Sequence, residues 1–322
     1  EVLAVLGHQS DDASAVAGPV YAEKGLPAVT GSSGLQKITF QNDWYFRVGL
    51  TTANQGTFLA NYIGRVMKAE EVYVIRSTDP YGDTMGEAVV DELNFQRRLS
   101  AFSVKVLNQF RIDPTSKTLA EDIQKIAEEI MPTYARQPVV VAVPEDIAAD
   151  VVFGLQSNQR RRLGKTIPYQ IVGPDSLSKK SVQEELAARR TTRFGLQDFS
   201  EGMRAVAPFL EDVANQKARD FRYAYRTEHK SEPSVIAAGF HDAAAVLVRA
   251  LGQLVENGVA TTDTKAAREA VRQYLSDIDT PASAVIGVTG PLYFNRDGNA
   301  IKTVPIGIYR DRRLVSTPVQ LS

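Results

Sequence analysis

From the start of the chain to Arg190, short apolar runs rich in β-branched residues alternate with longer stretches whose apolar positions recur every three or four residues. This alternation of period two and period 3.6 predicts a parallel α/β sheet covered by helices on both faces. Strands are expected at Val2–Leu6, Pro27–Val29, Tyr45–Leu50, Val72–Arg76, Ser103–Val106, Val139–Val143 and Tyr169–Val172. Helices are expected at Ala13–Lys24, Gln55–Lys68, Thr84–Arg98, Leu119–Tyr134, Ile147–Leu163 and Ser178–Arg190. Beyond Arg190 the pattern turns helix-rich, with Ala207–Thr227, Ser234–Asn257 stopped by Gly258, and Thr264–Ser276. Tyr293–Phe294 and Val304–Tyr309, on either side of the turn-forming Asn295-Arg296-Asp297-Gly298, predict a closing β-hairpin.

At 322 residues the chain exceeds one ordinary core, since single hydrophobic cores stop growing near ~250–300 residues, so two lobes are expected. Hydrophobic residues at 43% and charged residues at 23% match soluble globular usage and disfavour disordered, collagenous and coiled-coil classes. Thirty-seven Lys and Arg against thirty-eight Asp and Glu leave a net charge of −1, which supplies no basic footprint for nucleic acid or an anionic membrane. With no cysteine and three scattered histidines, neither a disulfide frame, a thiol nucleophile, a metal site nor a cofactor is expected. The most apolar helix, around Val235–Leu254, carries His241, Asp242 and Arg249, which argues against a simple ~20-residue membrane span and against direct membrane insertion. The chain opens at Glu1 without a basic, then apolar, then small-residue leader, so the expectation is that any targeting signal has been cut off or never existed.

Short motifs argue against catalysis. Leu163-Gly164-Lys165-Thr166 ends like a phosphate loop, but Gln159 stands where its first glycine is required. Ser176-Leu177-Ser178-Lys179 fits S-x-x-K, yet neither S-D-N nor K-T-G follows, and Ser178 is better placed as a helix N-cap. There is no G-x-S-x-G elbow, and His8, His229 and His241 lack a motif that would mark a base. The runs Arg160-Arg161-Arg162 and Arg189-Arg190 fall at helix C-terminal ends, where cations complement the macrodipole. The remaining candidates are loops at carboxyl ends of strands, where open α/β sheets place ligands. Gly7-His8-Gln9-Ser10-Asp11-Asp12 enters a helix, and Thr30-Gly31-Ser32-Ser33-Gly34 offers amides and hydroxyls. By spacing alone, ordinary turns and caps account for both equally well.

Several segments, in this order, carry a resemblance. They are the strand ending in Gly7-His8, the helix reaching Tyr21-Ala22-Glu23-Lys24-Gly25, Pro27-Ala28-Val29-Thr30 with Ser32-Ser33, Asp79-Pro80-Tyr81-Gly82, and Gly173-Pro174-Asp175. Glu201-Gly202, Gly239-Phe240-His241-Asp242-Ala243-Ala244, Gly290-Pro291-Leu292-Tyr293-Phe294 and Asp297-Gly298 continue it nearly end to end. The chain resembles the periplasmic Leu/Ile/Val-type (branched-chain amino acid) substrate-binding proteins of ABC transporters. The resemblance implies the α/β type I periplasmic-binding fold, two lobes joined by three crossings that close on a small ligand like a hinge. It implies a first lobe of residues 1–51 and 207–302, a second of 52–206 and 303–322, and hinges near Leu50–Thr52, Ala205–Pro208 and Lys302–Val304.

Carried over by position, Ser32, Ser33 and Gly34 fall where the family binds a ligand carboxylate, beside the helix opening at Ser10 and Asp11. Tyr81 falls where an aromatic covers the ligand, and Asp175 where an acid pairs with an α-ammonium, a charge-assisted contact. Tyr81 buttressing its own loop, or Asp175 capping the helix near Ser178, would be ordinary structural roles for the same residues. Two departures stand out. The family opens with a further strand–helix–strand–helix stretch, on the order of 60 residues at ~30 per βαβ unit, so a longer protein is expected, of which this chain is a piece. Asp11 stands where relatives use a hydroxyl, so an anionic ligand would meet like charge unless Asp11 turns away as a cap, or unless the ligand is larger, neutral or cationic. Val143-Pro144 offers no clear aromatic for the second lobe.

The expected function is that of a non-enzymatic, periplasmic or extracellular solute-binding protein that captures an amino acid or a related polar metabolite for an ABC permease. The same fold also serves the ligand-binding sensory domains of receptors and regulators, which remains the alternative.

Overall fold

The computed structural model describes residues 2–130, 137–163, 169–189, 198–207, 210, 214–302 and 304–321, with the backbone alone for 159–163. The chain divides into two compact units, Glu1–Thr52 with Val213–Thr303 and Ala53–Asp212 with Val304–Ser322, and passes between them three times.

The chain opens with β1 (Val5–Leu6), α1 (Asp11–Lys24), β2 (Ala28–Thr30) and β3 (Tyr45–Arg47). These strands form a parallel sheet in the order β1-β2-β3, with Val29 opposite Leu6 on one side and Phe46 on the other. Next come α2 (Thr52–Asn61), which continues as a π-helix through Tyr62–Val66, then β4 (Glu71–Ser77), α3 (Pro80–Arg98), β5 (Lys105–Ile112) and α4 (Leu119–Glu129). They are followed by β6 (Pro138–Ala142), α5 (Glu145–Leu163), β7 (Gln170–Gly173), a 3₁₀ turn at Asp175–Ser178, α6 (Lys180–Ala188) and β8 (Arg204–Val206). The chain closes with α7 (Gln216–His229), α8 (Val235–Glu256), α9 (Thr264–Asp277), β9 (Val285–Gly287), β10 (Gly290–Leu292), β11 (Ile306–Arg310) and β12 (Arg313–Ser316).

In the second unit, β5, β4, β6, β7 and β8 run parallel, and β11 and β12 add antiparallel strands to give the order β12-β11-β8-β7-β6-β4-β5. β6 is Pro-Val-Val-Val-Ala and is buried throughout, as a strand covered on both faces requires. Its Val139 and Val141 join Ile123 and Ile126 of α4, Val151 and Leu155 of α5, and Leu186 of α6 in one core. In the first unit, Val29 and Phe46 face Ala243, Val246, Leu247 and Ala250 of α8 and Val271 and Leu275 of α9. The opposite face of that sheet packs Ala28 and Tyr45 against Ile38, Tyr21 and Leu35.

Helix α8 is long and apolar enough to cross a membrane by length and composition, with a mean hydropathy of 1.5. In this fold it supplies the main face of the first unit's core and carries a wholly buried carboxylate, Asp242. It reaches the sheet closely because two glycines meet backbone to backbone. A Cβ on Gly31 would lie 2.5 Å from the Phe240 nitrogen, and one on Gly239 would strike the Gly31 carbonyl.

Most elements lie where the patterning places them, including the αL residue Gly258 after α8 at φ 67°. The closing region departs from expectation. Tyr293–Phe294 is no strand and makes only an isolated bridge at Phe294. The hairpins are instead β9–β10 and β11–β12, and the second turns through Asp311 and Arg312, both at positive φ. Its two loop residues adopt the left-handed backbone conformation that tight hairpins need without the Asn-Gly that usually announces it, so the turn is set by strand pairing. Of the helix expected from Ala207, the described part runs from Gln216, capped by Asn215, while Arg204–Val206 before it joins the sheet as β8 and residues 208, 209 and 211–213 lie outside the described residues. Strand β5 runs well past Val106, to Ile112. Ser178 does not cap α6. Lys179 occupies that position, and the Ser178 hydroxyl donates to the Asp175 carbonyl at 2.7 Å. Gly164, Lys165, Thr166, Arg190, Pro208, Thr303 and the side chains of Arg160, Arg161 and Arg162 lie outside the described residues, as does the stretch 131–136 where α4 was expected to continue.

Candidate functional site

The first unit's cluster is built at the carboxyl end of β2. Thr30, buried, donates its hydroxyl to the His8 carbonyl at 2.7 Å and accepts the Ser32 and Ser33 amides at 3.3 and 3.2 Å. This clamp turns the loop back and ties it to the β1–α1 connection, where the Ser32 hydroxyl donates to the Gln9 carbonyl at 2.8 Å. Ser10 is the N-cap of α1 and accepts the Ala13 amide at 3.2 Å. Its hydroxyl therefore serves the helix end.

Asp11 does not turn away. Its Oδ1 accepts the Ser33 hydroxyl at 2.6 Å, the Gly34 amide at 2.7 Å and the Leu35 amide at 3.3 Å. Three donors thus converge on one carboxylate oxygen from the chain itself. Beneath the loop lies Arg47, wholly buried on β3, which donates to the Leu35 carbonyl at 2.8 Å and the Thr39 hydroxyl at 3.3 Å. Its Nε and Nη1 have no hydrogen-bond partner. Burial pulls the guanidinium down to about 10, and the negative charge of Asp11 opposes that shift.

The second unit's cluster gathers at the carboxyl ends of β4 and β7. Asp79 caps α3 by accepting the Tyr81 and Gly82 amides at 2.8 and 3.1 Å, which fixes Tyr81 in the first turn. The Tyr81 hydroxyl donates to Asp175 Oδ1 at 3.0 Å. Its burial first, and the Asp175 charge second, raise the Tyr81 pKa well above the usual value. Asp175 Oδ2 lies 3.3 Å from the Lys179 ammonium, and the Asp175 amide donates to the buried Gln55 at 2.9 Å.

The structure therefore brings together Ser10, Asp11, Ser32, Ser33 and Gly34 in one unit, and Tyr81 with Asp175 in the other. Sequence reasoning placed Thr30 in the candidate loop without its clamping role, and missed Arg47, Gln55 and the pairing of Lys179. One of these had a signal, an arginine inside an apolar strand. Among the described residues, no group of three or more His, Asp or Glu could hold a metal ion.

Known proteins place this architecture. The chain superimposes on the substrate-binding protein of the branched-chain amino acid transporter of Streptococcus pneumoniae, solved with isoleucine. The TM-score is 0.73 at 18% identity over 97% of this chain and 78% of that one. A leucine-binding protein of Thermotoga maritima gives the same score and identity over 99% and 80% of the two chains. A solute-binding protein of an ABC transporter from R. palustris, solved with benzoate, gives 0.67 at 16% identity over 92% and 72%. These likenesses establish the type I periplasmic-binding fold. An amino acid binding protein of Pseudomonas aeruginosa is 33% identical over 95 residues, a stretch that spans 29% of this chain and 25% of that protein. The model of the family described as receptor family ligand binding region matches residues 1–306, and the chain belongs to that family.

Proposed function

We propose that the chain is the ligand-capturing part of an extracytoplasmic, non-enzymatic solute-binding protein that takes up a small polar metabolite, an amino acid or a relative of one, and presents it to an ABC permease. The observation that carries this reading is the Thr30–Leu35 loop. It follows a buried strand, is clamped by the Thr30 hydroxyl, and gathers the Ser33 hydroxyl and the Gly34 and Leu35 amides around one carboxylate oxygen, that of Asp11, a polar cluster of the kind that strand-end loops offer a solute. Of the named relatives, those of Pseudomonas aeruginosa, Streptococcus pneumoniae and Thermotoga maritima are described as amino acid, branched-chain amino acid and leucine binders, and the one from R. palustris as a solute-binding protein solved with benzoate. Ser10, Asp11, Ser32, Ser33 and Gly34 are proposed as the first unit's contribution to solute recognition, and Tyr81 and Asp175 as the second's. The residue ranges 1–51 with 207–302 and 52–206 with 303–322 are proposed as the two lobes.

A thermal-shift screen of the purified chain against amino acids, amides, polyamines, aromatic acids and sugars tests the reading. A solute that binds only the folded state stabilises it by mass action, by ~2.7 kcal/mol at one hundred times its dissociation constant. A shift confined to one chemical class supports the proposal and names the class. No shift from folded, ligand-stripped protein overturns it.

A further inference from the structure

In the first unit, one flank of α7 and His241 of α8 line a groove of about 630 Å³. Four rings follow one another along it. His241 and Phe221 have centroids 4.6 Å apart, Phe221 and Tyr225 5.7 Å, and Tyr225 and His229 4.4 Å. Two exposed carboxylates, Asp220 and Glu228, stand beside this row. The Gln216 amide donates to Asp220 Oδ1 at 2.7 Å and leaves Oδ2 open, and Glu228 has no partner among the described residues. We propose that this groove docks a partner protein through a basic segment in extended conformation that carries two arginines four residues apart. None of its residues belongs to the strand-end loops, so the proposal stands apart from the solute-binding reading.

The charge of α7 is sorted by flank. At 3.6 residues per turn, Arg219, Arg226 and Lys230 fall on the side away from the groove. They are held there: Arg219 donates to the Ala214 carbonyl at 2.6 Å, Arg226 lies 3.3 Å from Glu232, and Lys230 donates to the Thr227 carbonyl at 2.6 Å. The groove's own cation, Lys217, is drawn to β9, where its ammonium donates to the Ile286 carbonyl at 2.9 Å. An acidic segment would therefore meet like charge, and an apolar one would cover two carboxylates without pairing them. A guanidinium suits both features, because its plane stacks on aromatic rings and its fork pairs with a carboxylate, whereas an ammonium is compact and more strongly hydrated. Asp220 and Glu228 are eight residues apart, about 12 Å along the helix at 1.5 Å per residue. An extended chain covers roughly 13 Å in four residues at 3.3 Å each, which sets the spacing of the two arginines.

The test is calorimetric titration at low ionic strength with the capped peptides Arg-Ala-Ala-Ala-Arg, Lys-Ala-Ala-Ala-Lys and Arg-Ala-Arg, and with spermidine. The wild type should bind Arg-Ala-Ala-Ala-Arg at least fivefold more tightly than either other peptide and at least tenfold more tightly than spermidine. Combining Asp220→Asn with Glu228→Gln should weaken that peptide at least tenfold, and Tyr225→Leu at least fivefold. Glu121→Gln, at an exposed acid on α4 of the second unit, should leave its affinity unchanged. Circular dichroism checks the fold of each variant, and the exposed carboxamide pair keeps the proposal testable if Tyr225→Leu fails to fold. Silence toward Arg-Ala-Ala-Ala-Arg, equal binding of the lysine peptide or spermidine, or indifference to the groove variants overturns the proposal. Dimerisation in sedimentation runs that the groove variants abolish would assign the groove to a second copy of this chain and overturn it as well.

Discussion

The carboxylate of Asp242, wholly buried on α8, accepts both the amide and the hydroxyl of Thr289, at 2.9 and 2.5 Å, across 47 residues of chain. Its other oxygen takes the Val288 amide at 2.6 Å. The turn between β9 and β10 therefore finds its hydrogen bonds in a helix side chain, and Gly287 lies so close that a Cβ there would collide with the carboxylate. Asp242→Ala should leave two amides and a hydroxyl without their acceptor and lower stability by about 2–4 kcal/mol. Asp242→Asn, which keeps one acceptor oxygen, should lose less. Urea unfolding checks both, and a loss under ~1 kcal/mol for the alanine variant would contradict the assignment.

Lys302 should make stability rise with pH over a defined window. Its ammonium donates to the Thr289 hydroxyl at 2.9 Å, and burial holds its pKa down to about 8, with Asp242 opposing the shift. The unfolded chain keeps this proton up to about 10.5. Between those values the unfolded state binds more protons than the folded state, so raising the pH favours folding. The gain is on the order of 1–3 kcal/mol. It should appear as a difference between the wild type and Lys302→Met in urea midpoints at pH 7.5 and 9.5, and parallel midpoints would refute it.

Gly31→Ala tests the approach of α8 to β2. The added methyl carbon would stand 2.5 Å from the Phe240 nitrogen, and a helix backbone cannot step aside as a flexible side chain can. A loss of about 2–4 kcal/mol is expected in urea unfolding. A neutral result would mean that the helix and strand are farther apart in solution.

Asp175→Ala should weaken the bound solute by about 1–3 kcal/mol, roughly 5- to 150-fold, through loss of the acceptor that Tyr81 and Lys179 position. Tyr81→Phe removes one 3.0 Å hydrogen bond and should cost about 0.5–1.5 kcal/mol of stability while leaving the ring in place. Calorimetry and thermal unfolding read the two effects separately. Unchanged affinity in Asp175→Ala would remove that residue from the site.

Much of the fold was legible because its signals are local. The buried run Val139–Ala142 is a strand whatever its neighbours do, and Ser234 and Asp263 announce helices by capping amides three residues ahead. The chosen loops after β1 and β2 were also legible, since strand ends followed by small polar residues lie at fixed places in an α/β sheet. The closing hairpins were not. Asp311 and Arg312 adopt positive φ because β11 and β12 pair around them, a constraint that no residue type in the turn reveals.

The sequence by itself determined the alternation of strands and helices and such helix ends as those at Ser234, Asp263 and Gly258, because periodicity and capping act over a few positions. Only the tertiary structure decided what the polar residues do. Asp11 reaches Ser33, Gly34 and Leu35 across 22 to 24 residues, Tyr81 meets Asp175 across 94, and Asp242 finds Thr289 across 47. Each pairing depends on which strands lie side by side and where each loop leaves the sheet. A carboxylate in a linear sequence therefore reads equally well as a ligand hook, a helix cap or an internal counter-charge until the donors around it are brought into place.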